Sequence, residues 1–503
     1  MWGDIMRMGG SVAVIYGFLL VSIFTFGVGL SLAELCSSFP ITGGLYVWVS
    51  RLAPPSKVPL LCWVTGYLNW LGLSVAITSA DLGLAQFLAS VITITPSQQQ
   101  LQQQINVYWQ YGIFLIIIFV HGLINSLSVK YNGIINQTSL YWHLMGTLLI
   151  IIVALALTPN KPSATWVFTY FENDTGFSSN IYAFCIGLLQ SQYTLSGFDG
   201  AIQISNETIN ASINAPKGIL YAIASAAICG LAFLISVNFC VQDFQQQIVH
   251  TKVYPQITQV FLDGVGYHWM LVFTAILIGA MFFSGSALTL SSSRLLYAFA
   301  LDGATPFSHY LCRIHPKTRT PVFAVWANVI FAALIGLLFI ISTTAYNAIV
   351  SVNTVASSFA YFIPIFLRLT VARKTFQPGP FHLGKYANMI HLTSCCWILF
   401  TSVLFLCPTE YPITPLNMNY SSLIITLVIG ASVLYYQYSA KYWFTGPERS
   451  TQLSEGDDTD PFGTTMTTTS TTVSMVEDPN DERLLINRKQ HSSSSIPNYS
   501  SIN

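Results

Sequence analysis

Charged side chains are scarce in this chain. Lys and Arg number 20, Asp and Glu number 20, and charged residues make up 8% of 503 positions. A soluble domain carries about 25% charged residues, so this scarcity excludes an ordinary soluble globular protein. The net charge is zero, which also excludes a general electrostatic attraction to nucleic acid. With 53% hydrophobic residues, the composition predicts an integral membrane protein.

The chain also lacks the short motifs of several enzyme classes. It contains neither the G-x-x-x-x-G-K-[ST] loop that binds ATP phosphates nor the G-x-S-x-G elbow of serine hydrolases. Its nine cysteines lie mostly in apolar runs and show no short Cys/His spacing, which disfavours disulfides and zinc. We therefore expect neither an enzyme nor an ATP-driven pump, and we predict no metal and no cofactor.

What the chain does have is a series of apolar runs. A membrane-spanning helix needs about 20 apolar residues, and eleven runs approach or exceed that length. The second run is the longest and has no proline after its first residue, so it predicts one tilted or projecting helix. The runs lie near 11–33, 59–93, 110–128, 137–158, 181–203, 217–241, 268–291, 322–342, 346–367, 387–408 and 420–442.

Lys and Arg are concentrated in alternate loops, and cytoplasmic loops hold the excess of these residues. This rule predicts a cytoplasmic C-terminus and an outer N-terminus. The sequons at Asn173 and Asn419 then fall outside, as glycosylation candidates. An outer N-terminus of about ten residues, without a cleavable signal, leads us to expect a further helix upstream. A signal-anchor at 11–33, or a protein with eleven genuine spans, is the alternative.

Residues 445–503 are rich in Ser, Thr, Asp and Asn, and this composition predicts a disordered cytoplasmic tail behind a multi-pass domain at 1–444. The segments Asp481 to Ile486 and Tyr499 to Ile502 resemble acidic-dileucine and tyrosine-based sorting signals. Such signals would recruit adaptor proteins in a eukaryotic cell and direct the chain to the plasma membrane or to a vacuolar or lysosomal membrane. Plain tail sequence is the alternative, because short patterns arise by chance.

The run at 181–203 contains the most informative feature. It meets Ser196, Gly197, Asp199 and Gly200 before the span is complete. Non-helical backbone is tolerated at membrane depth only where it lines a cavity or is buried in protein. An intramembrane carboxylate at such a break predicts a binding site.

Five ordered segments extend this interpretation. Together they resemble the amino acid/choline transporter family, the group of fungal GABA permeases, within the amino acid-polyamine-organocation superfamily. The resemblance covers residues 9–446. The segments are AELCSSFPITGGLYVWVSRLAP (33–54), SGFDGAIQISNETINASINAPKGI (196–219), SSSRLLYAFALDGATPFS (291–308), QPGPFHLGKY (377–386) and PLNMNY (415–420).

The resemblance implies an all-α membrane protein with two inverted five-helix repeats and two extra C-terminal helices. The eleven spans correspond to family helices 2 to 12. The first, incomplete repeat covers about 9–158, the second about 181–367, and the extra helices 387–442. We expect the family's first helix, which is broken by glycines and binds the substrate carboxylate, to be missing from these residues.

Tyr193, Ser196, Gly197 and Asp199 are the first predicted substrate-binding residues. Amides at the break suit a zwitterion, and the tyrosine ring suits a cation or a gate. The structural alternative is that the glycines permit close helix packing and Asp199 caps the next segment. Asn69, on the second run, is predicted to line the pathway.

His143 is predicted as a proton-coupling residue, because histidine titrates near neutral pH; a hydrogen-bonded interfacial role is the alternative. His121 and His391 are interpreted as structural. On the cytoplasmic side, Arg294 is predicted to pair with Glu34 or Asp302 at an inner gate.

At position 301, where the family commonly has Arg before Asp-Gly, this chain has Leu. That departure weakens the predicted gate.

These features predict a secondary transporter that moves amino acids or related amines by alternating access. GABA-like, choline-like, neutral and cationic amino acid substrates all remain open. The alternative is a transport-incompetent form that regulates or assembles with full-length copies. A channel is disfavoured, because the polar positions gather at one break and do not recur along several spans.

Overall fold

The computed structural model describes residues 2–447, except 42, 94–105, 206–207, 252, 342 and 415–417. The predicted tail therefore lies almost wholly outside the described residues, as do both sorting motifs. Within these ranges the chain is helical and has no β-strand. This agrees with the all-α membrane protein that the resemblance implied.

Seventeen α-helices are found in the described part of the chain. Ten helical segments there are long and apolar enough to cross a membrane. The helices are α1 (Trp2–Val12), α2 (Phe18–Ser38), α3 (Leu45–Leu52), α4 (Val58–Thr93), α5 (Val107–Asn125), α6 (Val129–Leu157), α7 (Ala164–Thr169), α8 (Asn180–Thr194), α9 (Gly200–Gln203), α10 (Ala211–Asn238), α11 (Ile257–Val265), α12 (Tyr267–Leu301), α13 (Ser308–Leu311), α14 (Val322–Ile341), α15 (Thr343–Leu369), α16 (Ala387–Leu406) and α17 (Ser421–Tyr438).

Ten of the eleven predicted runs contain one of these membrane-length helices in the described residues, and the remaining run is interrupted. The run at 181–203 is divided into α8, which has 15 residues, and the short α9. The run at 59–93 forms the single helix α4 of 36 residues. At 1.5 Å per residue, α4 is about 54 Å long and exceeds the hydrocarbon thickness of about 30 Å.

Helix α4 runs through the middle of the bundle and packs against α12 and α15, while α2 packs against α10 and α16. One end of α4 is held by an aromatic cluster around the fully buried Trp63. The ring of Phe299 from α12 lies 6.2 Å from the Trp63 ring, and that of Phe444, beyond α17, lies 5.1 Å away. These contacts fix the long helix, so the residues along its middle have defined neighbours.

The two loops with predicted glycosylation sites meet at one end of the bundle. The amide of Tyr411 donates to the carbonyl of Thr175 over 2.8 Å. The amide group of Asn173 donates to the Phe177 carbonyl over 2.9 Å, and that of Asn419 donates to the Phe405 carbonyl over 2.7 Å. The two loops therefore share a side, as the charge distribution predicted, and glycosylation itself stays a prediction.

Candidate substrate site

The helix break forms where the sequence predicted it. Helix α8 ends at Thr194 and α9 begins at Gly200. Between them Gly197 has a φ of +86°, a conformation that favours glycine. The Ser196 amide donates to the Tyr193 carbonyl over 3.1 Å, but among the described residues no acceptor is bonded to the amide of Gly197. The amide of Gly197 is therefore an unbonded donor at the break, whereas that of Ser196 is bonded.

A cavity of about 740 Å³ adjoins the break. Tyr193, Ser196, Gly197 and Asp199 all line it, together with residues of α1, α4, α12 and α15. Of the described residues in its wall, Asp199 is the only Asp, Glu, Lys or Arg. The four residues that the sequence singled out at the break therefore share one cavity wall, and the fold adds further polar residues as well as the apolar part.

The Asp199 carboxyl is buried, with the residue 1% exposed. It is hydrogen-bonded by the hydroxyl of Tyr361 from α15. Its Oδ2 atom has no hydrogen-bond partner within the described ranges. An unpaired carboxylate oxygen in a low-dielectric wall is costly unless a ligand pairs with it. This oxygen is an acceptor without a partner in the wall of the cavity.

Tyr193 connects the break to the long helix α4. Its hydroxyl lies 2.7 Å from the Ser79 hydroxyl, and both residues line the cavity. A movement of the break therefore changes a direct contact with α4. Sequence reasoning missed Ser79 and Tyr361, because nothing in their local sequence marks them as neighbours of the break.

Asn69 is not brought to the cavity. Its side chain is fully buried, and the part of α4 that lines the cavity runs from Leu73 to Phe87. Neither polar atom of the Asn69 side chain has a hydrogen-bond partner in the described part of the chain. Its predicted place on the pathway stays a prediction.

His143 also lies away from the cavity. It is on α6, and its Nδ1 atom is 2.7 Å from the Ser139 carbonyl, one turn earlier on the same helix. It is not among the cavity-lining residues. The intrahelical hydrogen bond is the kind of structural role that was the alternative to proton coupling.

The predicted inner-gate residues show a different arrangement around Glu34. The Glu34 carboxylate lies 2.8 Å from Nε2 of His391 on α16 and 3.6 Å from Nε of Arg368 on α15. Asp302 accepts a hydrogen bond of 2.8 Å from the Tyr46 hydroxyl. The pairing of Arg294 with Glu34 or Asp302 stays a prediction. Both basic neighbours of Glu34 were missed, although they flank the QPGPFHLGKY motif.

A bundle of membrane-length helices with a helix broken at a cavity is typical of multi-pass membrane transporters. Comparison with known proteins then identifies the family of the chain. The amino acid permease family model matches residues 4–429. The chain is 35% identical to amino-acid permease BAT1 of Arabidopsis thaliana, over 88% of this chain and 87% of that protein. It is 28% identical to the GABA-specific permease of Saccharomyces cerevisiae, over 90% and 80% respectively.

The chain belongs to the amino acid permease family. It is a membrane transporter of amino acids and not an enzyme, as the resemblance implied. The rice BAT1 homolog, at 33% identity over 88% of this chain and 87% of that protein, is a further relative.

Proposed function

We propose that the cavity at the α8–α9 break binds the ammonium group of an amino acid or related amine at Asp199. The observation that carries this proposal is the unpartnered Oδ2 of Asp199, buried in the cavity wall. Charge-assisted hydrogen bonds are about twice as strong as neutral ones, so an ammonium group is the ligand that this oxygen favours.

The free amide of Gly197 lies two residues before this carboxylate. A backbone N–H donates to anions, so the break offers an acceptor for the ammonium end of a zwitterion and a donor for its carboxylate end. The lining contains no Lys, Arg or His among its described residues. Neutral and cationic substrates, including GABA-like and choline-like amines, therefore suit the cavity better than acidic amino acids, whose second carboxylate lacks a partner.

Transport by alternating access follows from the same arrangement. The break sits between α8 and the packed helices α4, α12 and α15, and such discontinuous helices move relative to the rest of the bundle in secondary transporters. The Tyr193–Ser79 hydrogen bond of 2.7 Å is a contact that such a movement would break and remake.

Uptake measurements test the site. The full chain is reconstituted in vesicles, and uptake of labelled GABA, choline, leucine, lysine and glutamate is compared. We expect Asp199→Asn to lower uptake of the accepted substrates about tenfold or more, since a charge-assisted hydrogen bond is lost. The control Asp243→Asn changes an exposed loop carboxyl that accepts from the Gln246 amide. Unchanged uptake in Asp199→Asn, at equal amounts of protein, would refute the assignment.

We also propose that the Lys- and Arg-rich side of the bundle and the tail face the cytoplasm, in the plasma membrane or a vacuolar or lysosomal membrane. The contact between the two sequon loops supports one shared outer side. Expression in eukaryotic cells tests this: we expect Asn173→Gln and Asn419→Gln each to remove a glycosidase-sensitive mass. Binding of endocytic adaptor proteins to the tail, lost when Leu484 and Leu485 become Ala, would support the sorting motifs.

A further inference from the structure

A second pair of ionisable side chains lies inside the bundle, apart from the break. Asp81 on α4 and His121 on α5 are both fully buried. The Oδ2 atom of Asp81 lies 3.1 Å from Nδ1 of His121. Ionisable residues in the middle of membrane helices are costly, and they mark proton or substrate pathways more often than structural contacts.

Half of the polar atoms in this pair are unsatisfied. In the described part of the protein, Oδ1 of Asp81 and Nε2 of His121 have no hydrogen-bond partner. The pair is enclosed by α12, whose Phe282 ring centroid lies 4.7 Å from that of His121. A Cβ atom at Gly285 would lie 2.7 Å from the imidazole Cε1. A purely structural ion pair in an apolar site would be expected to have its remaining polar atoms satisfied.

Few other ionisable groups face the pair. The hydroxyl of Tyr193, from α8, interacts electrostatically with the Asp81 carboxylate. Helix α14, which packs on α5, contains no ionisable residue. Tyr361, from α15, is bonded to Asp199. Among the described residues no Lys or Arg forms an ion pair with Asp81, so the proton on the pair decides its charge.

The pair lies directly behind the cavity wall. The residues before Asp81 and before Gly285, Ala80 and Ser284, both line the cavity. Ser79, two residues before Asp81, is bonded to Tyr193 at the substrate break. A ligand that shifts Tyr193 therefore acts on α4 through the Ser79 hydroxyl, two residues before Asp81.

We propose that the Asp81–His121 pair is the proton-binding site of this transporter, and that its protonation is coupled to substrate in the cavity. The inference rests on the transport function proposed above. With one shared proton the pair has no net charge. Release of that proton leaves the Asp81 carboxylate beside a neutral imidazole, with a charge of minus one. A buried negative charge is costly. The protonated pair and the deprotonated pair therefore favour different conformations of the bundle.

Proton flux and substrate accumulation test the pair together. The full chain is placed in vesicles that contain a pH-sensitive dye and is given labelled substrate. A gradient of about one pH unit supports about tenfold accumulation of a substrate that travels with one proton. We expect wild type and His268→Gln, which changes an exposed histidine, to reach this level. We expect His121→Gln and Asp81→Asn to lose accumulation and proton flux while still exchanging labelled for unlabelled substrate.

His143→Gln decides between the two histidine assignments. Retained proton flux in His143→Gln with loss in His121→Gln supports the pair, and the reverse result overturns it. Accumulation that persists in both His121→Gln and Asp81→Asn also overturns it. Wild-type exchange without any proton movement would overturn the inference and leave the substrate site standing. Absence of exchange in wild type would overturn the proposed transport function and the inference with it.

Discussion

Asp199 and Glu34 are both buried carboxylates in the helical bundle, with each residue 1% exposed, and their surroundings are opposite. Both oxygens of Glu34 have partners, since Oε2 lies 2.8 Å from His391 and Oε1 accepts from the Leu383 amide over 3.1 Å. Asp199 has Tyr361 and one unpartnered oxygen. The comparison contrasts a carboxylate whose bonds join several helices with a carboxylate that lies at a cavity and is only partly bonded.

Glu34 is one of several contacts that attach the linker between α15 and α16 to α2. Residues 379–383, which we name the α2 strap, cross the end of α2 at Ser38. The amide of Gly379 donates to the Ser38 hydroxyl and that of Phe381 to the Ser37 hydroxyl, both over 2.9 Å. With the Leu383 amide on Glu34, alternate amides of the strap are bonded to α2. The linker between α15 and α16 is thereby attached to a helix distant in sequence.

The largest expected difference between the two carboxylates is in stability. Glu34→Gln leaves Arg368 without its negative partner, and breaking a buried ion pair in this way costs about 3–5 kcal/mol. Asp199→Asn removes an incompletely bonded charge, so we expect a change of about 1 kcal/mol or less. Thermal unfolding of the purified variants in detergent measures both. Equal losses of stability would contradict the comparison.

Substitutions at two glycines distinguish an effect of backbone strain from an effect on substrate binding. Gly197, at the break, and Gly384, just beyond the strap, have φ values of +86° and +57°. An added Cβ has space at both, with the nearest atom at Gly197 4.0 Å away and none within 4 Å at Gly384. Alanine at either site costs about 1–2 kcal/mol, because the left-handed conformation disfavours a Cβ atom.

We expect only Gly197→Ala to lower uptake severalfold, since the strain there falls on the break that lines the cavity. Gly384→Ala supplies the matched control with similar strain outside the cavity. Uptake measured per folded molecule checks this. An equal loss in both variants would show that strain alone, and not the position of the break, limits transport.

The smallest expected effect concerns one bond of the strap. Ser38→Ala removes the acceptor of the Gly379 amide and should cost about 1 kcal/mol. Ser225→Ala is the control, because that exposed hydroxyl only bonds to the Ala222 carbonyl of its own helix. A change in unfolding temperature that is no larger for Ser38→Ala than for Ser225→Ala would count against the strap.

Much of the architecture was predictable from the sequence because lipid imposes strong rules. Apolar runs marked every long helix, including the single long α4. The glycines and Asp199 marked the break, since backbone is exposed in a membrane only beside a cavity. Charge asymmetry predicted that the two sequon loops share a side, and their contact agrees.

Partnerships between distant residues were not predictable. Asn69 and His143 were chosen because they are polar residues on membrane helices. In the fold, the part of α4 that lines the cavity is Leu73–Phe87, which does not include Asn69. The His143 side chain is bonded within its own helix. The pairing of Arg294 with Glu34 or Asp302 stays a prediction, and nothing in the sequence indicated that the Glu34 carboxylate contacts His391 and Arg368. Sequence periodicity does not report which helices are neighbours.

Ordered segments of the sequence resembled the amino acid permeases and so indicated the family. The sequence by itself also determined that this is a helical membrane protein and where one helix breaks. Those properties depend on local composition and on the need to satisfy backbone groups in lipid. Only the tertiary structure decided which carboxylates are bonded, since that depends on residues from other helices. It brought Tyr361 to Asp199, Arg368 to Glu34 and His121 to Asp81.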